Sequence, residues 1–148
     1  MSQLKLRIQE ATRAAMTARD KPRVAALRLI NADIKRVEVD ERKELNDREV
    51  VAVLTRMLKQ RNDSLTQYRN AGRNDLADVE QFEIGVIDEF MPEPLAEAEI
   101  DALIDAAVAA VGATGMRDMG KVMTRLRGDV QGRANMGELS ARVKAKLN

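Results

Sequence analysis

The sequence predicts an all-α protein of two lobes, with about four helices in residues 1–91 and a small three-helix lobe in residues 92–148. Apolar residues recur every three or four positions, which is the period of an amphipathic helix, and no segment sustains the period of two that marks a strand. Two prolines in Met91-Pro92-Glu93-Pro94 stop the preceding helix and favour extended backbone, which places the boundary between the lobes.

Narrow apolar stripes predict the first two helices. Pro22 lies just inside the start of the second helix, where a missing backbone N–H costs little. The charged segment 39–44 that follows this helix is predicted to be a turn. The first stripe consists of Leu4, Ile8, Ala11, Ala15 and Ala18, and the second of Leu27, Ile30, Ile34 and Val37.

The third helix has the best-marked start in the sequence. Asn46 at the N-cap and Glu49 three residues later match a capping box. Leu45 and Val50 occupy the two positions of a hydrophobic staple. The helix is expected to end before Gly72, because glycine readily adopts the left-handed conformation that follows a helix. A fourth helix is predicted from Asn74 or Asp75, with apolar positions at Leu76, Val79, Ile84 and Ile87.

The C-terminal lobe is predicted to contain three shorter helices. Gly120 lies inside the middle one, where glycine costs about 1 kcal/mol relative to alanine. We therefore expect it to permit close helix packing or the close approach of a partner. Asn135 and Glu138 match a second capping box at the start of the last helix. The three helices cover about 97–111, 116–129 and 136–147.

Composition excludes several kinds of chemistry. The 148 residues include no His and no Cys, so Ser-His-Asp and Cys-His sites and zinc sites of the usual kind are excluded. Three aromatic residues are too few for base-stacking platforms. No apolar run approaches the roughly 20 residues of a membrane span. We expect a cytoplasmic protein with no membrane partner, no cofactor and no metal site. The N-terminal arginines are interpreted as part of the mature fold and not as a mitochondrial transit peptide.

Charge is distributed in blocks, although the net charge is only +1. Residues 1–73 carry +7, residues 74–115 carry −11 and residues 116–148 carry +5. A basic lobe of this kind can face a polyanion. Alternatively, the acidic middle packs near a basic end and cancels its charge. The acidic pair Glu80 and Glu83 is interpreted as part of a solvated face.

The best candidate site lies in the C-terminal basic block. Lys121 and Arg125 are spaced to share one helix face. The loop Gly132-Arg133-Ala134-Asn135 enters the last helix, whose free N–H groups suit a phosphate. Such contacts would recognise the shape of a nucleic-acid backbone rather than base edges. Alternatively, these residues form a solvated face and cap the final carbonyls. The candidate RNA-binding residues are Gly120, Lys121, Arg125, Arg127, Gly132, Arg133, Asn135, Arg142 and Lys144, and no catalytic residue is assigned.

Several motifs resemble those of a known family over nearly the whole chain. The C-terminal motifs are Asp118-Met119-Gly120-Lys121-Val122-Met123 and Gly132-Arg133-Ala134-Asn135. Together the motifs resemble the YqeY-like family, and the C-terminal lobe is similar to the tail domain of the GatB subunit of glutamine-dependent Asp/Glu-tRNA amidotransferases. The N-terminal motifs are Leu27-Arg28, Lys59-Gln60-Arg61 with Ser64 and Tyr68, Ala71-Gly72-Arg73-Asn74-Asp75-Leu76, and Glu80, Glu83 and Pro92.

The resemblance implies a four-helix-like N-terminal lobe, a three-helix C-terminal lobe and a link to tRNA, since the GatB tail helps to hold the tRNA body. Carried over to this sequence, it favours Gly120, Lys121, Gly132, Arg133 and Asn135 among the candidates. Asn135 stands where YqeY-like proteins commonly have Asp, and both residues cap helices. Ala96 stands where they often have Ser, a loss that removes an N-cap worth about 1 kcal/mol.

The resemblance also implies an activity, that of a carbon–nitrogen ligase with glutamine as amido-N-donor. The chemistry of the amidotransferase complex lies in another subunit and in the larger body of GatB. We therefore expect the isolated chain to be a non-catalytic accessory module that binds tRNA or another structured RNA. An amidotransferase or an aminoacyl-tRNA synthetase is the expected partner protein. The alternatives are a component with the ligase activity, or a helical protein-interaction adaptor that uses the basic N-terminal lobe or the methionines of the C-terminal lobe.

Overall fold

The computed structural model describes residues 2–148, and all regular secondary structure in this range is helical. The all-α fold predicted from the sequence is therefore confirmed. The chain divides into two compact units, one on each side of the Met91–Pro92 peptide bond. The helices are α1 (Gln3–Thr17), α2 (Lys21–Glu41), α3 (Asp47–Asn70), α4 (Asn74–Asp88), α5 (Glu97–Val111), α6 (Met119–Val130) and α7 (Met136–Leu147), with a short 3-10 helix (Met116–Asp118) before α6.

The first unit contains α1–α4 around an apolar core. The predicted stripes of α1 and α2 supply Ile8, Leu27 and Ile30, all without solvent exposure. Leu54 of α3 and Ile87 of α4 complete the centre of this core. Burying each such side chain contributes about 1.5–3 kcal/mol relative to leaving it in water. The packing of four amphipathic faces thus accounts for the N-terminal lobe.

The predicted start of α3 is confirmed in atomic detail. Glu49 N donates to Asn46 Oδ1 over 2.9 Å, and Asn46 N donates to Glu49 Oε1 over 3.2 Å. Leu45 and Val50, the two residues of the staple, are both buried. At the other end Gly72 has a φ of +71°, as the prediction for the position after a helix requires. Both ends of α3 therefore follow signals that local sequence contains.

The predicted turn over residues 39–44 is wrong at its beginning, because α2 continues to Glu41. The helix ends at Arg42, which adopts the left-handed conformation with a φ of 56°. Glu38, near this end, is buried: both of its carboxylate oxygens accept from Lys5 Nζ at 2.8 Å, and Oε2 also accepts from Leu45 N at 3.0 Å. The pairing of Glu38 with Lys5 thus joins the last turns of α2 to α1.

Helix α4 packs against α3, with one difference from the prediction. Val79, an expected apolar position, is 54% exposed, and Ala77 takes its place in the contact with α3. The two helices are also joined by an ion pair in which Arg61 Nε donates to Glu83 Oε2 over 2.9 Å. Glu83, interpreted from the sequence as part of a solvated face, is therefore a largely buried partner, and its side chain is 18% exposed.

The second unit contains α5–α7 around Ile104, Leu126 and Leu139, each 1% exposed. Helices α5 and α7 agree with the predicted ranges, whereas the predicted middle helix begins as a 3-10 helix before α6. Gly120 at the start of α6 is exposed, and a Cβ added there would meet nothing within 4 Å. The expectation that Gly120 permits close helix packing is therefore wrong for this unit, and only the approach of a partner remains.

Candidate nucleic-acid interface

Helix α6 presents basic residues on its solvent-exposed surface. Val122 and Leu126 are buried in the second unit, and this orients the rest of the helix. Lys121 and Arg125, one turn apart as predicted, are both exposed. Arg127 is also exposed, but its position along the helix places it on a different face from Lys121 and Arg125. The structure thus brings together the Lys121–Arg125 pair.

Two basic residues of α7 are bound to acidic residues of α5. Arg142 Nη2 donates to Asp101 Oδ1 over 2.6 Å, and Lys146 Nζ lies 2.5 Å from Asp105 Oδ1. The pairing with Asp105 also raises the pKa of Lys146. Arg142, a candidate RNA-binding residue, is therefore engaged within the protein. For this edge of the second unit, the alternative in which acidic residues cancel basic ones is the better description.

Arg133 has a structural role in the loop between α6 and α7. Its Nε donates to the backbone carbonyl of Glu93 over 3.0 Å, and its own carbonyl accepts from Leu95 N over 2.8 Å. Gly132, beside it, has a φ of +75° that favours glycine. Both residues were predicted as phosphate contacts, and the structure shows them shaping the loop and joining it to the segment before α5.

The start of α7 is already occupied by its own side chains. Asn135 Oδ1 accepts from Glu138 N over 3.0 Å, which confirms the predicted N-cap. The reciprocal bond, from Asn135 N to the Glu138 carboxylate, is absent from the hydrogen bonds of residues 2–148, so the predicted capping box is only half formed. Glu138 adds a negative charge in the first turn, where the helix dipole favours anions. These groups leave less of the helix end for a phosphate than the sequence suggested.

One acidic residue, Asp118, lies close to Lys121 of the basic pair. The backbone N–H of Thr114 bonds Asp118 Oδ2 over 3.0 Å, and this bond is the main reason why the pKa of Asp118 is lowered. The charges of Lys121 and Arg117 lower it further. Asp118 therefore stays ionised at neutral pH and partly offsets the charge of Lys121.

After these pairings, four of the six basic candidates are exposed and uncommitted. Within the part of the chain that the structure describes, none of the four takes part in an ion pair, in contrast to Arg142. Their side chains are free to contact phosphates, which are bound by point charges and by guanidinium groups. The four residues, called the uncommitted cations below, are Lys121, Arg125, Arg127 and Lys144.

The spacing of charges in the sequence contains a signal for these ion pairs. Asp101 and Asp105 are one turn apart on α5, and Arg142 and Lys146 are one turn apart on α7. Equal spacing of opposite charges on two helices is what parallel ion pairs between them require. The sequence alone does not reveal that α5 and α7 present these turns to each other, because helix packing determines that arrangement.

The described residues contain neither a metal-binding cluster nor a membrane-spanning helix. Nowhere between residues 2 and 148 do three potential ligands gather in a group that could hold a metal ion. Over the same range, no helix combines the length and the apolar character needed to cross a bilayer.

The fold and the surface define a class: an all-α protein of two helical units with uncommitted cations on the second. A family model described as Yqey-like protein matches residues 5–147. The chain therefore belongs to the YqeY-like family, as its motifs predicted.

Similar curated proteins come from fungi. The chain is 29% identical over 130 residues to a Pyrenophora tritici-repentis protein named "Altered inheritance of mitochondria protein 41, mitochondrial". This alignment covers 86% of this chain and 71% of that protein. It is 31% identical over 100 residues to the Lachancea thermotolerans protein of the same name, covering 66% and 54% respectively. A Schizosaccharomyces pombe protein described as uncharacterized is 29% identical over 79 residues, or 53% of this chain. The chain thus spans about half the length of some of these relatives.

Proposed function

We propose that this chain is an RNA-binding accessory protein whose second unit holds the sugar-phosphate backbone of a structured RNA, with tRNA as the first candidate. The observation that carries the proposal is the set of uncommitted cations. In the second unit Arg142 and Lys146 form ion pairs with acidic residues, whereas Lys121 and Arg125 remain exposed on one face of α6. The similarity of this lobe to the GatB tail gives the preference for tRNA.

The chemistry of the surface favours recognition of shape over sequence. Lysine and arginine side chains neutralise phosphates and release counterions, and this makes affinity fall steeply with salt. Because Lys121 and Arg125 share one face and Arg127 lies on another, two contacts from the shared face predict a slope of log affinity against log salt of about −2. Folded RNA presents its phosphates in an arrangement that a rigid helix can match without reading bases. We therefore expect weak binding with a preference for folded RNA over duplex DNA.

The proposal assigns the catalytic step to another protein. The expected partner is an amidotransferase or an aminoacyl-tRNA synthetase, and the chain would present RNA to this partner or hold RNA for it.

The cytoplasm is the proposed location, although the fungal relatives carry the word mitochondrial in their names. Fractionation of cells followed by detection of the protein checks this part directly.

The test is a salt-titrated binding assay with tRNA and with duplex DNA. The variant Lys121→Gln with Arg125→Gln is expected to lose about tenfold or more in tRNA affinity and about two units of salt slope. Arg142→Gln with Lys146→Gln removes the same charge from residues that are already paired, and is the matched control. Equal losses in the two variants would show that net charge alone attracts RNA. Unchanged binding in the first variant would refute the proposed surface.

The two alternatives remain predictions. Glutamine-dependent conversion of Glu-tRNA to Gln-tRNA by the purified protein, alone or with a GatA-like partner, would establish a ligase component. Capture of a protein partner that survives nuclease treatment would favour the adaptor. The exposed side chains of Met116 and Met136 in the second unit are the residues to change in that case, since flexible methionines adapt to partner surfaces.

A further inference from the structure

We propose that a cleft between α1 and α2 binds a phosphomonoester that carries hydroxyl groups next to the phosphate, as sugar phosphates do. The cleft has a volume of about 420 Å³ and lies wholly within the first unit. This volume falls in the range of small-molecule sites, roughly 300–1,000 Å³. The site is separate from the uncommitted cations of the second unit and does not depend on them.

An ion pair forms one end of the cleft. Lys5 Nζ lies 2.8 Å from each carboxylate oxygen of Glu38, and Leu45 N donates to the same carboxylate over 3.0 Å. The side chain of Lys5 is 15% exposed and that of Glu38 is 7% exposed. Because Lys5 and Glu38 satisfy and neutralise each other, this end is rigid and contributes no net charge to a ligand.

Two cations remain on the lining, one from each helix. Arg13 of α1 and Lys35 of α2 are both exposed, and neither forms an ion pair with any residue from 2 to 148. With Lys5 and Glu38 cancelling, these two side chains give the lining two positive charges in excess. A phosphomonoester carries close to two negative charges at neutral pH. A guanidinium and an ammonium together supply the forked and the point-like donors that bind phosphate.

The neutral groups of the cleft indicate the rest of the ligand. Asn31 Nδ2 donates to Thr12 Oγ1 and to the carbonyl of Leu27, both over 2.9 Å. These two bonds commit the amide hydrogens and leave the Asn31 carbonyl oxygen as an acceptor. Gln9, on the same lining, adds a further amide. Acceptors of this kind suit hydroxyl groups, and the volume exceeds what an inorganic phosphate needs, so the ligand carries a hydroxylated organic part.

The experiment titrates ribose 5-phosphate into the chain of 148 residues at constant ionic strength, by calorimetry and by NMR of the side-chain amides. We expect binding of ribose 5-phosphate, weaker binding of inorganic phosphate and none of ribose. Arg13→Gln with Lys35→Gln is expected to weaken binding about tenfold or more. Arg7→Gln with Arg36→Gln removes an exposed cation from each of the same two helices outside the cleft, and should stay within about twofold of the wild type.

Two results would overturn the site: failure of ribose 5-phosphate to bind the wild type, or equal binding by both double variants. Movement of the Gln9 and Asn31 amide signals only with the phosphorylated sugar supports it. The phosphomonoester could belong to the end of an RNA or to a free sugar phosphate. Comparing a short RNA that has a 5′-phosphate with the same RNA lacking it distinguishes these two sources. Lys121→Gln with Arg125→Gln should leave ribose 5-phosphate binding intact, so failure of the RNA proposal and failure of this one are separable.

Discussion

Arg142 of α7 donates from Nη2 to Oδ1 of Asp101 on α5 over 2.6 Å, and one turn further along both helices Lys146 pairs with Asp105 over 2.5 Å. The two pairs withhold two cations from the surface of the second unit. Exposed pairs of this kind contribute at most about 1 kcal/mol each to stability. Their larger effect is on which basic residues remain free for an anionic partner.

Asp101→Asn with Asp105→Asn should therefore increase the affinity for tRNA. Freeing Arg142 and Lys146 adds up to two phosphate contacts, which steepens the slope of log affinity against log salt by about 1 to 2 units. The measurement is fluorescence anisotropy with labelled tRNA at several salt concentrations. Glu93→Gln with Glu97→Gln changes the net charge equally without releasing a paired cation. If both variants gain equally, overall charge and not the freed side chains is responsible.

Gly120→Ala should separate stability from binding. No atom lies within 4 Å of the added Cβ, so the substitution is expected to raise the free energy of unfolding by about 0.5–1 kcal/mol. If a phosphate backbone approaches α6 closely at this point, tRNA affinity should fall severalfold. Gly85→Ala in α4 also adds a Cβ in open space, and should stabilise without changing tRNA binding. A stabilised Gly120→Ala protein with full tRNA affinity would remove Gly120 from the interface.

Ala96→Ser should stabilise the second unit. Ala96 occupies the N-cap of α5, where Glu99 accepts from Ala96 N over 3.3 Å but no side chain caps the helix in return. A serine hydroxyl would complete the capping box, worth about 1 kcal/mol in urea denaturation. Ala98→Ser, two residues into the helix, should give no gain. Equal effects from the two substitutions would contradict the capping argument.

Glu38 should make the stability of the first unit depend on pH. Its hydrogen bonds with Lys5 lower the pKa of the carboxyl below its ordinary value of 4.5. Since the folded-state pKa is lower than the unfolded one, the stabilisation is complete above about pH 4.5 and is lost as the pH falls through the folded-state pKa. Glu38→Gln should cost ~3 kcal/mol at pH 7, because it leaves Lys5 without its buried partner.

The check is urea denaturation of the wild type and Glu38→Gln from pH 7 down to pH 3. The difference between the two proteins should shrink as the pH falls, because protonated Glu38 is neutral like glutamine. Glu41→Gln, near the exposed end of the same helix, should behave like the wild type throughout. A difference that stays constant with pH would mean that shape, and not charge, makes Glu38 necessary.

Some of this structure follows from local sequence and some does not. The capping box of Asn46 and Glu49 involves groups three residues apart, so the start of α3 could be predicted. The burial of Glu38 depends on Lys5, which lies 33 residues away, so the sequence alone does not reveal that this charged side chain is inside the fold. Local signals determine helix ends, whereas the pairing of charges between helices determines which charged stretches are buried.

The same distinction applies to the candidate site. Lys121 and Arg125 were predicted to share a face because helix geometry fixes their spacing, and both are exposed. Arg133 and Arg142 were predicted as phosphate contacts, but their partners Glu93 and Asp101 lie about 40 positions earlier in the chain. The cleft that contains Arg13 and Lys35 was missed for the same reason, since only the packing of α1 on α2 creates it.

The two hydrogen bonds between Arg133 and the segment 93–95 have a mechanical consequence. Because the Arg133 carbonyl and guanidinium hold Leu95 N and the Glu93 carbonyl, tension arriving along the chain at Pro92 reaches the α6–α7 loop before it reaches α5. Two hydrogen bonds loaded together resist a pull better than two that open in succession. When the second unit is stretched from its N-terminal end, these two hydrogen bonds should therefore break before α5 begins to unwind.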